Sequence, residues 1–222
     1  MLSQPVLPTR HILVIGANGG IGRQCVELGL SAGYQVTAIV RNPLKLVLSH
    51  PNLTIAAGDV TKPTTILTHL TNKDAIISAI GSGDMGHDRP TSLYSQGAAT
   101  VLAEMTEMNA RRVFFISSSA IEISPVNSFF IRFIIKYVMA KLLKYMFNDL
   151  RKMEAIVKRS DADWTLIRPP RLTNGPQTGH YRYTTNEFLP NCTRISRADL
   201  AHFILHHIAD PATFRTTIEL SY

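Results

Sequence analysis

The sequence predicts a single doubly wound α/β domain with a mostly parallel central sheet. Two observations support this prediction: short apolar segments rich in valine and isoleucine recur along the chain, and segments of helical character separate them. Strands that are apolar on both faces and joined through helices form parallel sheets with helices on either side. The predicted strands are HILVIG (11–16), YQVTAIV (34–40), LTIAAGD (53–59), DAIISAIG (74–81), RRVFFISSS (111–119) and DWTLIRP (163–169).

Composition limits what the protein can be. The 222 residues are 45% hydrophobic and 18% charged, which is typical of a globular protein and not of a disordered chain. Cys25 and Cys192 are far apart and lack metal-ligand spacing, so we expect neither a disulfide framework nor a zinc site in a reducing, cytoplasmic protein. His202 and His206 are spaced like a metal pair, but no third ligand is near, and we expect no metal.

The formal net charge of +7 raises the question of an anionic partner. The basic residues are scattered, with no zinc finger and no basic helix interleaved with aromatic residues, so we expect no nucleic acid. An anionic cofactor explains part of the charge equally well. Residues 1–10 lack the charged start and apolar core of a signal peptide, and we expect a loose tail before the domain at 11–222.

Two helices are predicted around the later strands. Residues 90–108 carry a stripe at three- and four-residue spacing, which Glu104 interrupts: Leu93, Gly97, Thr100, Val101 and Met108. Ser196 is a suitable N-cap for a last helix, with Asp199 at the third position. The excursion at about 172–196 is expected to shape a substrate pocket, and no repeat or linker indicates a second domain.

In a doubly wound sheet, ligands bind outside the carboxyl ends of the strands, where the strand order reverses. All six predicted strand ends carry glycines, small polar residues or a basic residue, which is more than packing requires. We therefore expect the binding residues there: Gly16, Asn18, Gly19, Gly20, Ile21, Gly22, Arg41, Asn42, Lys45, Asp59, Val60, Ala79, Ile80, Gly81, Ser117, Ser118, Ser119 and Pro169.

The segment GANGGIG lies between the first strand and the first helix and has G-x-x-G-x-x-G spacing. Gly16 permits a tight turn, Gly19 lets the backbone approach a pyrophosphate, and Gly22 allows close packing of helix on strand. The free N–H groups of the helix N-terminus attract phosphates. A tight turn without a ligand is the alternative, but the other strand ends favour a dinucleotide-binding Rossmann fold.

The end of the second strand selects between the nicotinamide cofactors. An NAD site usually has an acid there to hold the ribose hydroxyls, whereas this strand ends in Arg41 and Asn42, with Lys45 one turn later. A guanidinium and an ammonium suit a 2′-phosphate, so the sequence favours NADP, unless Arg41 is merely a solvated strand-end residue. Asp59 and Val60, after the third strand, are expected to flank the adenine.

Several segments together resemble the atypical short-chain dehydrogenase/reductase group that includes the NmrA-like proteins: GANGGIG, VRNP, GDV, the serines after the fifth strand and DLRKMEAIVKRSDADWTLIRPPRL. The resemblance covers nearly the whole chain. Its most specific part, RPPRLTNGPQTGHYRYT followed by ISRADLAHFIL, is similar to the biliverdin-IXβ reductase, or flavin reductase, branch. The resemblance implies hydride transfer from NADPH to a flavin (FMN or FAD) or a linear tetrapyrrole. NmrA-type members instead bind the dinucleotide as regulators.

Related dehydrogenases use a Tyr-x-x-x-Lys pair, and Tyr137 and Lys141 have this spacing. In extended members of the superfamily, a helix glutamate follows the lysine by about one turn and the tyrosine by about two. Taking Glu154 as that glutamate places Leu150 and Met146 in the two roles, so both functional groups are missing. Tyr137 would lie roughly 13 Å from Met146 along a continuous helix, and we interpret the match as a coincidence.

Without this pair, the chemistry that remains is hydride transfer in which the enzyme aligns the nicotinamide with an electron-poor ring. By the resemblance, Ser119 takes the serine position, where its hydroxyl can bond the nicotinamide amide or the substrate. Ser117 and Ser118 are alternatives, and strand-end capping is the simplest explanation of all three. The reductase branch has a histidine where this chain has Arg171, which can bind a flavin phosphate, a propionate or the cofactor's own phosphates.

Residues 128–147 are apolar but interrupted by Arg132, Lys136, Lys141 and Lys144, which is too many charges for a membrane span. On a helical wheel the apolar residues, among them Leu142, share one sector opposite the basic residues. Such a helix can pack on its own domain, form a subunit interface in a small homo-oligomer, or lie on an anionic membrane surface. We favour packing, and the sequence leaves a monomer and a small homo-oligomer both open.

Two functions are compatible with these features. An NADPH-dependent reductase of flavin or tetrapyrrole type predicts a wide, apolar cleft over the nicotinamide beside Ser119 and Arg171. A non-catalytic NADP-binding regulator of the NmrA kind predicts that the cleft is filled or binds a protein. The missing tyrosine and lysine are compatible with both.

Overall fold

The computed structural model describes residues 10–81, 89–108, 110–122, 124–125, 137 and 140–222. The strands are β1 (His11–Ile15), β2 (Gln35–Val40), β3 (Leu53–Ala57), β4 (Ala75–Ser78), β5 (Arg112–Ile116), β6 (Asp163–Arg168), β7 (Arg171–Thr173), β8 (Arg182–Thr185), β9 (Arg194–Ser196) and β10 (Thr216–Ser221). The helices are α1 (Gly20–Ser31), α2 (Leu67–Leu70), α3 (Leu93–Glu107), α4 (Ala140–Leu142), α5 (Lys144–Lys158) and α6 (Arg197–His206). All six predicted strands are present.

The main sheet has eight strands in the order β3-β2-β1-β4-β5-β6-β10-β8. Every neighbouring pair is parallel except β10 with β8. The chain moves outward from β1 through β2 to β3 and then returns to β4 on the other side of β1. The predicted doubly wound α/β fold is therefore confirmed, and its topological switch point lies between the carboxyl ends of β1 and β4.

Both faces of the sheet are buried, as the apolar strands predict. Ile12 and Val14 of β1 belong to a core that α1 and α6 cover. Leu13 and Ile15 alternate with them and belong to a second core under α3 and α5. Burial of each such side chain contributes about 1.5–3 kcal/mol, which fixes the register of β1 at the centre of the sheet.

Helix α3 confirms the predicted helix, but its buried face is rotated from the predicted stripe. A Cβ at Gly97 would lie 2.9 Å from Cδ1 of Ile80, so the small residue lets α3 approach the sheet, and Glu104 lies at the edge of the contact. Asp149 of α5 accepts a hydrogen bond from the N–H of Tyr94 at 2.9 Å and so ties the two helices together. The buried residues of α3 are Tyr94, Ser95, Gly97, Ala98, Val101, Leu102 and Met105.

Most of the apolar segment 128–147 and nearly all of the predicted tail lie outside the described residues, so those interpretations stay predictions. The described end of the segment is broken at Leu143, between α4 and α5. Leu142, which the helical wheel places in the apolar sector, is 61% exposed. Within the described ranges, no helix is long and apolar enough to cross a membrane.

The excursion after β6 contains secondary structure that the sequence did not predict. Strand β8 forms the antiparallel edge of the main sheet beside β10, and β7 and β9 form a separate two-stranded sheet. These strands were missed because short polar segments such as RYTT carry no apolar run.

The start of α6 confirms the predicted N-cap and organises the excursion. The Ser196 Oγ accepts a hydrogen bond from the N–H of Asp199 at 2.9 Å. The Asp199 carboxylate accepts bonds from the N–H groups of Thr178 and Gly179 and from the Tyr222 hydroxyl. Burial opposes ionisation of Asp199, but these bonds prevail and lower its pKa. One carboxylate therefore fixes the excursion to α6.

Candidate functional site

The glycine loop between β1 and α1 lies at the switch point of the sheet. Gly16 has a φ of +79°, and a Cβ there would lie 2.6 Å from the carbonyl oxygen of Ala79. A Cβ at Gly22 would lie 2.3 Å from the carbonyl oxygen of Gly16. Because these obstacles are backbone atoms, the fold itself requires glycine at both positions.

Gly19 has a different reason to be glycine. Its φ of −76° and ψ of 161° suit any residue, and a Cβ there would lie 3.2 Å from the Gly16 carbonyl oxygen, a tight but not prohibitive contact. Asn18, Gly19 and Gly20 are exposed, whereas the Ile21 side chain packs on the core. The open space over Gly19 is a cradle that a side chain would fill, and it fits a phosphate group.

The first turn of α1 completes this cradle. Gly19 is the N-cap, no side chain caps the helix, and no acidic residue lies in the first turn. The first N–H groups of a helix have no partner within it, and the helix dipole places positive charge there. The loop and the helix end together form an anion site of the kind that binds a pyrophosphate.

The end of β2 presents positive charge to solvent. Arg41, Asn42 and Lys45 are all exposed. The Asn42 Oδ1 accepts a hydrogen bond from the N–H of Leu44 at 3.0 Å and so caps the short 3-10 helix Pro43–Lys45. Asn42 therefore shapes the turn, while the Arg41 and Lys45 side chains are available to an anionic group.

The end of β3 lies close to the end of β2, so the positive charge there acts on the Asp59 carboxylate that follows β3. The Asp59 carboxylate accepts bonds from the N–H and the hydroxyl of Thr61 at 2.9 and 2.8 Å. These bonds lower the pKa of Asp59, and the charges of Lys62 and Arg41 add to the effect. The Val60 side chain is buried under α3, so only its main chain can flank a ligand.

The end of β4 forms the opposite wall of the glycine loop. The Ala79 N–H donates to the carbonyl oxygen of Ile15 at 2.9 Å, and the Ile80 side chain packs against the second core. Gly81 is exposed. Ala79 and Ile80 therefore shape the crevice through main-chain atoms.

The three serines after β5 have different partners. The Ser117 hydroxyl is buried and donates to Oε1 of Glu154 at 2.7 Å, so its proton is already used within the protein. The Ser118 Oγ caps the turn that follows. The Ser119 N–H donates to the carbonyl oxygen of Pro169 at 3.0 Å. In the part of the chain that the structure describes, only the Ser119 hydroxyl lacks a hydrogen-bond partner among the three.

A buried ionic network lies beneath these serines. Arg168 donates to Glu154 through Nε at 2.8 Å and to both carboxylate oxygens of Glu122 at 2.8 and 2.9 Å. Burial works to raise the pKa of Glu154, but bonds from Arg168 and Ser117 and the charge of Lys158 prevail, and the pKa is lowered. The network joins β5, β6 and α5 below the serine loop. Sequence reasoning identified Glu154 only by family position and missed Arg168.

Replacing Glu154 with glutamine should make stability less dependent on pH. The lowered pKa means that ionised Glu154 stabilises the fold above the ordinary value of 4.5 and loses this contribution as pH falls through the lower, folded value. We expect the variant to lose about 2–4 kcal/mol at neutral pH and much less in acid, measured by urea unfolding.

The matched control for this prediction is Glu27→Gln, which removes an exposed pair with Arg23 on α1. Its effect should stay within about 0.5 kcal/mol. An equal loss for Glu154→Gln at neutral and acidic pH would contradict the role assigned to this carboxylate.

Arg197 is a residue of the site that the sequence did not reveal. It begins α6, and a Cβ at Gly20 would lie 2.6 Å from its Cδ and Nε atoms. Its Nη1 donates to Oδ1 of Asn174 at 2.6 Å. The guanidinium is therefore held over the N-terminus of α1. Only the packing of α6 on α1 reveals this, because the two segments are distant in sequence.

Replacing Arg197 with glutamine should weaken dinucleotide binding about 10- to 150-fold, since a charge-assisted contact with the phosphates is worth about 1.5–3 kcal/mol. Fluorescence titration with NADPH measures the effect. Arg111→Gln, an exposed arginine at the amino end of β5, is the control and should bind normally. Unchanged affinity in Arg197→Gln would remove Arg197 from the site.

The other predicted residues lie at the carboxyl end of β6 and beyond. Pro169 is buried, and Arg171 is exposed at the start of β7. Arg171 is in register with Arg194 of β9. A cavity of about 450 Å³ lies nearby, but neither Ser119 nor Arg171 lines it, so the apolar cleft predicted beside them is not the cavity observed.

The residues of the alternative catalytic pair lie on the surface. Tyr137 is 55% exposed and Lys141 is exposed. Leu150 is buried and Met146 packs against the same core, as expected for positions without a catalytic group.

The histidines of α6 have partners of their own. The Tyr181 hydroxyl and Nδ1 of His202 lie 2.8 Å apart, and the rings of His202 and His206 are stacked. Among the described residues, no group of three histidine, cysteine, aspartate or glutamate side chains could hold a metal ion.

Solved structures share this fold. A wide-type short-chain dehydrogenase/reductase from Veillonella parvula, determined in complex with NADP, superposes with a TM-score of 0.76 over 96% of this chain and 94% of its own, at 19% identity. ChuY from Escherichia coli O157:H7, described as an anaerobilin reductase, superposes with a TM-score of 0.74 over 95% of this chain and 96% of its own, at 22% identity.

Relatives are also found by sequence. An oxidoreductase, ptaF, of Pestalotiopsis fici is 25% identical over 89% of this chain and 78% of its own length. An uncharacterized chloroplastic protein of Arabidopsis thaliana is 28% identical over 80% of this chain, and the match spans 65% of that protein. The photosystem II assembly factor Ycf39 of Guillardia theta is 44% identical over 31% of this chain, and the match spans 22% of that protein. The chain thus spans less than two thirds of these last two relatives.

A family model described as NAD(P)H-binding matches residues 16–211, from the first glycine of the loop to the turn before β10. The match covers the cradle, the ends of β2 to β6, and α6. The chain therefore belongs to the NAD(P)H-binding family that this model describes.

Proposed function

We propose that the protein is an NADPH-dependent reductase that passes a hydride to an anionic flavin or linear tetrapyrrole. The observation that carries the proposal is the distribution of guanidinium groups along the carboxyl edge of the sheet. Arg41 marks one end, Arg197 overlies the glycine loop, and Arg171 and Arg194 stand together at the other end. A phosphorylated dinucleotide and an anionic acceptor would complement these charges.

The preference for NADPH follows from the end of β2. Arg41 and Lys45 are exposed, and the Asp59 carboxylate, which follows β3, is bonded to Thr61. An acid directly after β2 would repel a 2′-phosphate and bind the ribose hydroxyls of NAD instead. The bound cofactor would supply the hydride, and the chain's own residues would hold and orient it.

The preference for an anionic acceptor follows from β7 and β9. Arg171 and Arg194 are register partners in a parallel pair, so their side chains leave the sheet on the same face, about 5 Å apart at the backbone. Within the described residues, neither guanidinium has a carboxylate partner. Like charges side by side are unfavourable, and a phosphate or propionate group would relieve the repulsion.

Ser119 is the residue that we propose to orient the reacting groups. Its main chain is fixed by the bond to Pro169, and its hydroxyl remains available at the end of β5. In this position it would bond the nicotinamide amide or a polar atom of the acceptor. The oxidoreductase name of the Pestalotiopsis relative and the reductase name of the Escherichia structure support a reductase.

A non-catalytic NADP-binding regulator is the second candidate. Met146 and Leu150 stand where related dehydrogenases carry tyrosine and lysine, so the acid and the ribose anchor are both missing. The name of the Ycf39 relative, an assembly factor, supports a role in which the dinucleotide is bound and not consumed.

Steady-state turnover distinguishes the two candidates. The purified protein is mixed with NADPH and FMN, FAD or biliverdin, and oxidation of NADPH is followed by its near-ultraviolet absorbance. A reductase turns over at least one acceptor, and Arg171→Gln raises KM for FMN but not for riboflavin, which lacks the phosphate. Tight NADPH binding without turnover of any acceptor would instead establish the regulator.

A further inference from the structure

The cavity of about 450 Å³ lies over β6 and β10, beside the C-terminal residue of α5. Its floor is formed by Trp164 and Arg168 of β6 and by Thr217 and Glu219 of β10, which are neighbouring, parallel strands. Lys158 of α5, Glu122 and the segment 186–188 form its walls. A volume of this size is within the range of small-molecule sites, about 300–1,000 Å³.

Glu219 is the unusual group in this cavity. The residue is 3% exposed, and its Oε2 accepts a hydrogen bond from the N–H of Leu189 at 2.8 Å. The Leu189 N–H is the one hydrogen-bond donor to this carboxyl among the described residues, and it bonds Oε2 and not Oε1. Burial raises the pKa of this carboxyl and outweighs the bond from Leu189 and the charge of Arg168, which both act to lower it. The cavity therefore contains a buried acid that forms no ion pair with any described residue.

Neither of the two basic side chains that line the cavity forms an ion pair with Glu219. The Arg168 guanidinium donates hydrogen bonds to both Glu122 and Glu154. The Lys158 Nζ lies 3.3 Å from Oε2 of Glu154. Three carboxylates and two basic groups line the cavity, and Glu154 behind the wall holds both basic groups. In a chain of net charge +7, this cavity is locally acidic.

We propose that this cavity is a second ligand site for a small organic ammonium whose amine faces Glu219 and whose apolar body lies against Trp164 and Phe188. The two aromatic side chains supply the apolar area and the cation–π attraction, and the carboxylate supplies the charge. No residue of the glycine loop lines the cavity, and its carboxylates repel phosphates and propionates. The site is therefore separate from the dinucleotide and from an anionic acceptor.

The chain provides its own reporter for this test, because Trp164 is its single tryptophan. The probes are phenethylamine, neutral 2-phenylethanol and anionic 3-phenylpropionate, titrated into the full chain without a dinucleotide. We expect saturable change in tryptophan emission with phenethylamine and at least about tenfold weaker binding of the other two probes. Equal affinity for all three, or no saturable change with any, would overturn the proposal.

Glu219→Gln preserves the size of the side chain and should weaken the binding of phenethylamine at least about tenfold. Glu187→Gln, at the exposed rim of the same cavity, is the matched control and should change affinity much less. Circular dichroism shows whether Glu219→Gln is folded. If the variant is unfolded, titration of the unaltered chain with the three probes is the test of the site. An unchanged affinity in folded Glu219→Gln would contradict the site, and loss of FMN or biliverdin turnover would not bear on it.

Discussion

Replacing Gly22 with alanine should abolish dinucleotide binding and destabilise the fold by about 3 kcal/mol. The new methyl group would lie 2.3 Å from the carbonyl oxygen of Gly16, so the loop and α1 must separate. A displacement of the loop by about 1 Å costs on the order of a hundredfold in a site that depends on position. Calorimetric titration with NADPH and urea unfolding measure the two effects.

Two further glycine variants show whether the loop exists for a ligand. A Cβ at Gly175 would meet Ser196 at 3.6 Å, an ordinary contact, so Gly175→Ala should be nearly neutral. Gly19→Ala should stay within about 1 kcal/mol of the parent in stability and lose about tenfold or more in NADPH affinity, because its methyl group enters the cradle. If Gly19→Ala bound NADPH normally, the cradle would not hold a phosphate.

Replacing Arg41 with alanine should weaken the binding of NADPH by about 10- to 100-fold and the binding of NADH by less than about threefold. Arg41 is exposed at the end of β2, so its loss leaves the core intact, and only the cofactor with a 2′-phosphate loses a charge-assisted contact. Lys45, one turn later, retains part of the attraction. The two dissociation constants are measured by calorimetry at one ionic strength, because such contacts are screened by salt.

The control for Arg41 removes the same charge elsewhere. Arg159 is exposed at the C-terminus of α5, close to the amino end of β6 and on the opposite edge of the sheet from the glycine loop. Arg159→Ala should leave both affinities unchanged. If Arg41→Ala lost affinity for NADPH and for NADH to the same extent, this arginine would not recognise the 2′-phosphate.

The sequence predicted the fold because the evidence for it is local. Short apolar runs rich in branched and aromatic residues, such as HILVIG and RVFFI, are typical of buried strands, and the glycine spacing marks the first crossover. The Ser196 cap of α6 was likewise visible, because it depends on residues three apart. The polar strands β7 and β8 could not be predicted from the sequence, because their pairing depends on partners far along the chain.

The site was predicted only where main-chain geometry or a strand end decides it. Gly16 and Gly22 are required by backbone atoms that the motif itself supplies. Arg197 reaches the loop from α6, and the Ser117 hydroxyl is taken by Glu154, and both facts arise from the packing of distant elements. The buried face of α3 also differs from the predicted one, because it depends on how closely the helix approaches the sheet at Gly97.

The central claim is that backbone amides between β1 and α1, with Arg41 beside them, hold a phosphorylated dinucleotide. Calorimetric titration of the full chain with NADPH and with NADH tests it most directly. We expect saturable one-to-one binding of both cofactors, with NADPH the tighter by at least about tenfold. No heat with either cofactor, or tighter binding of NADH, would contradict the account.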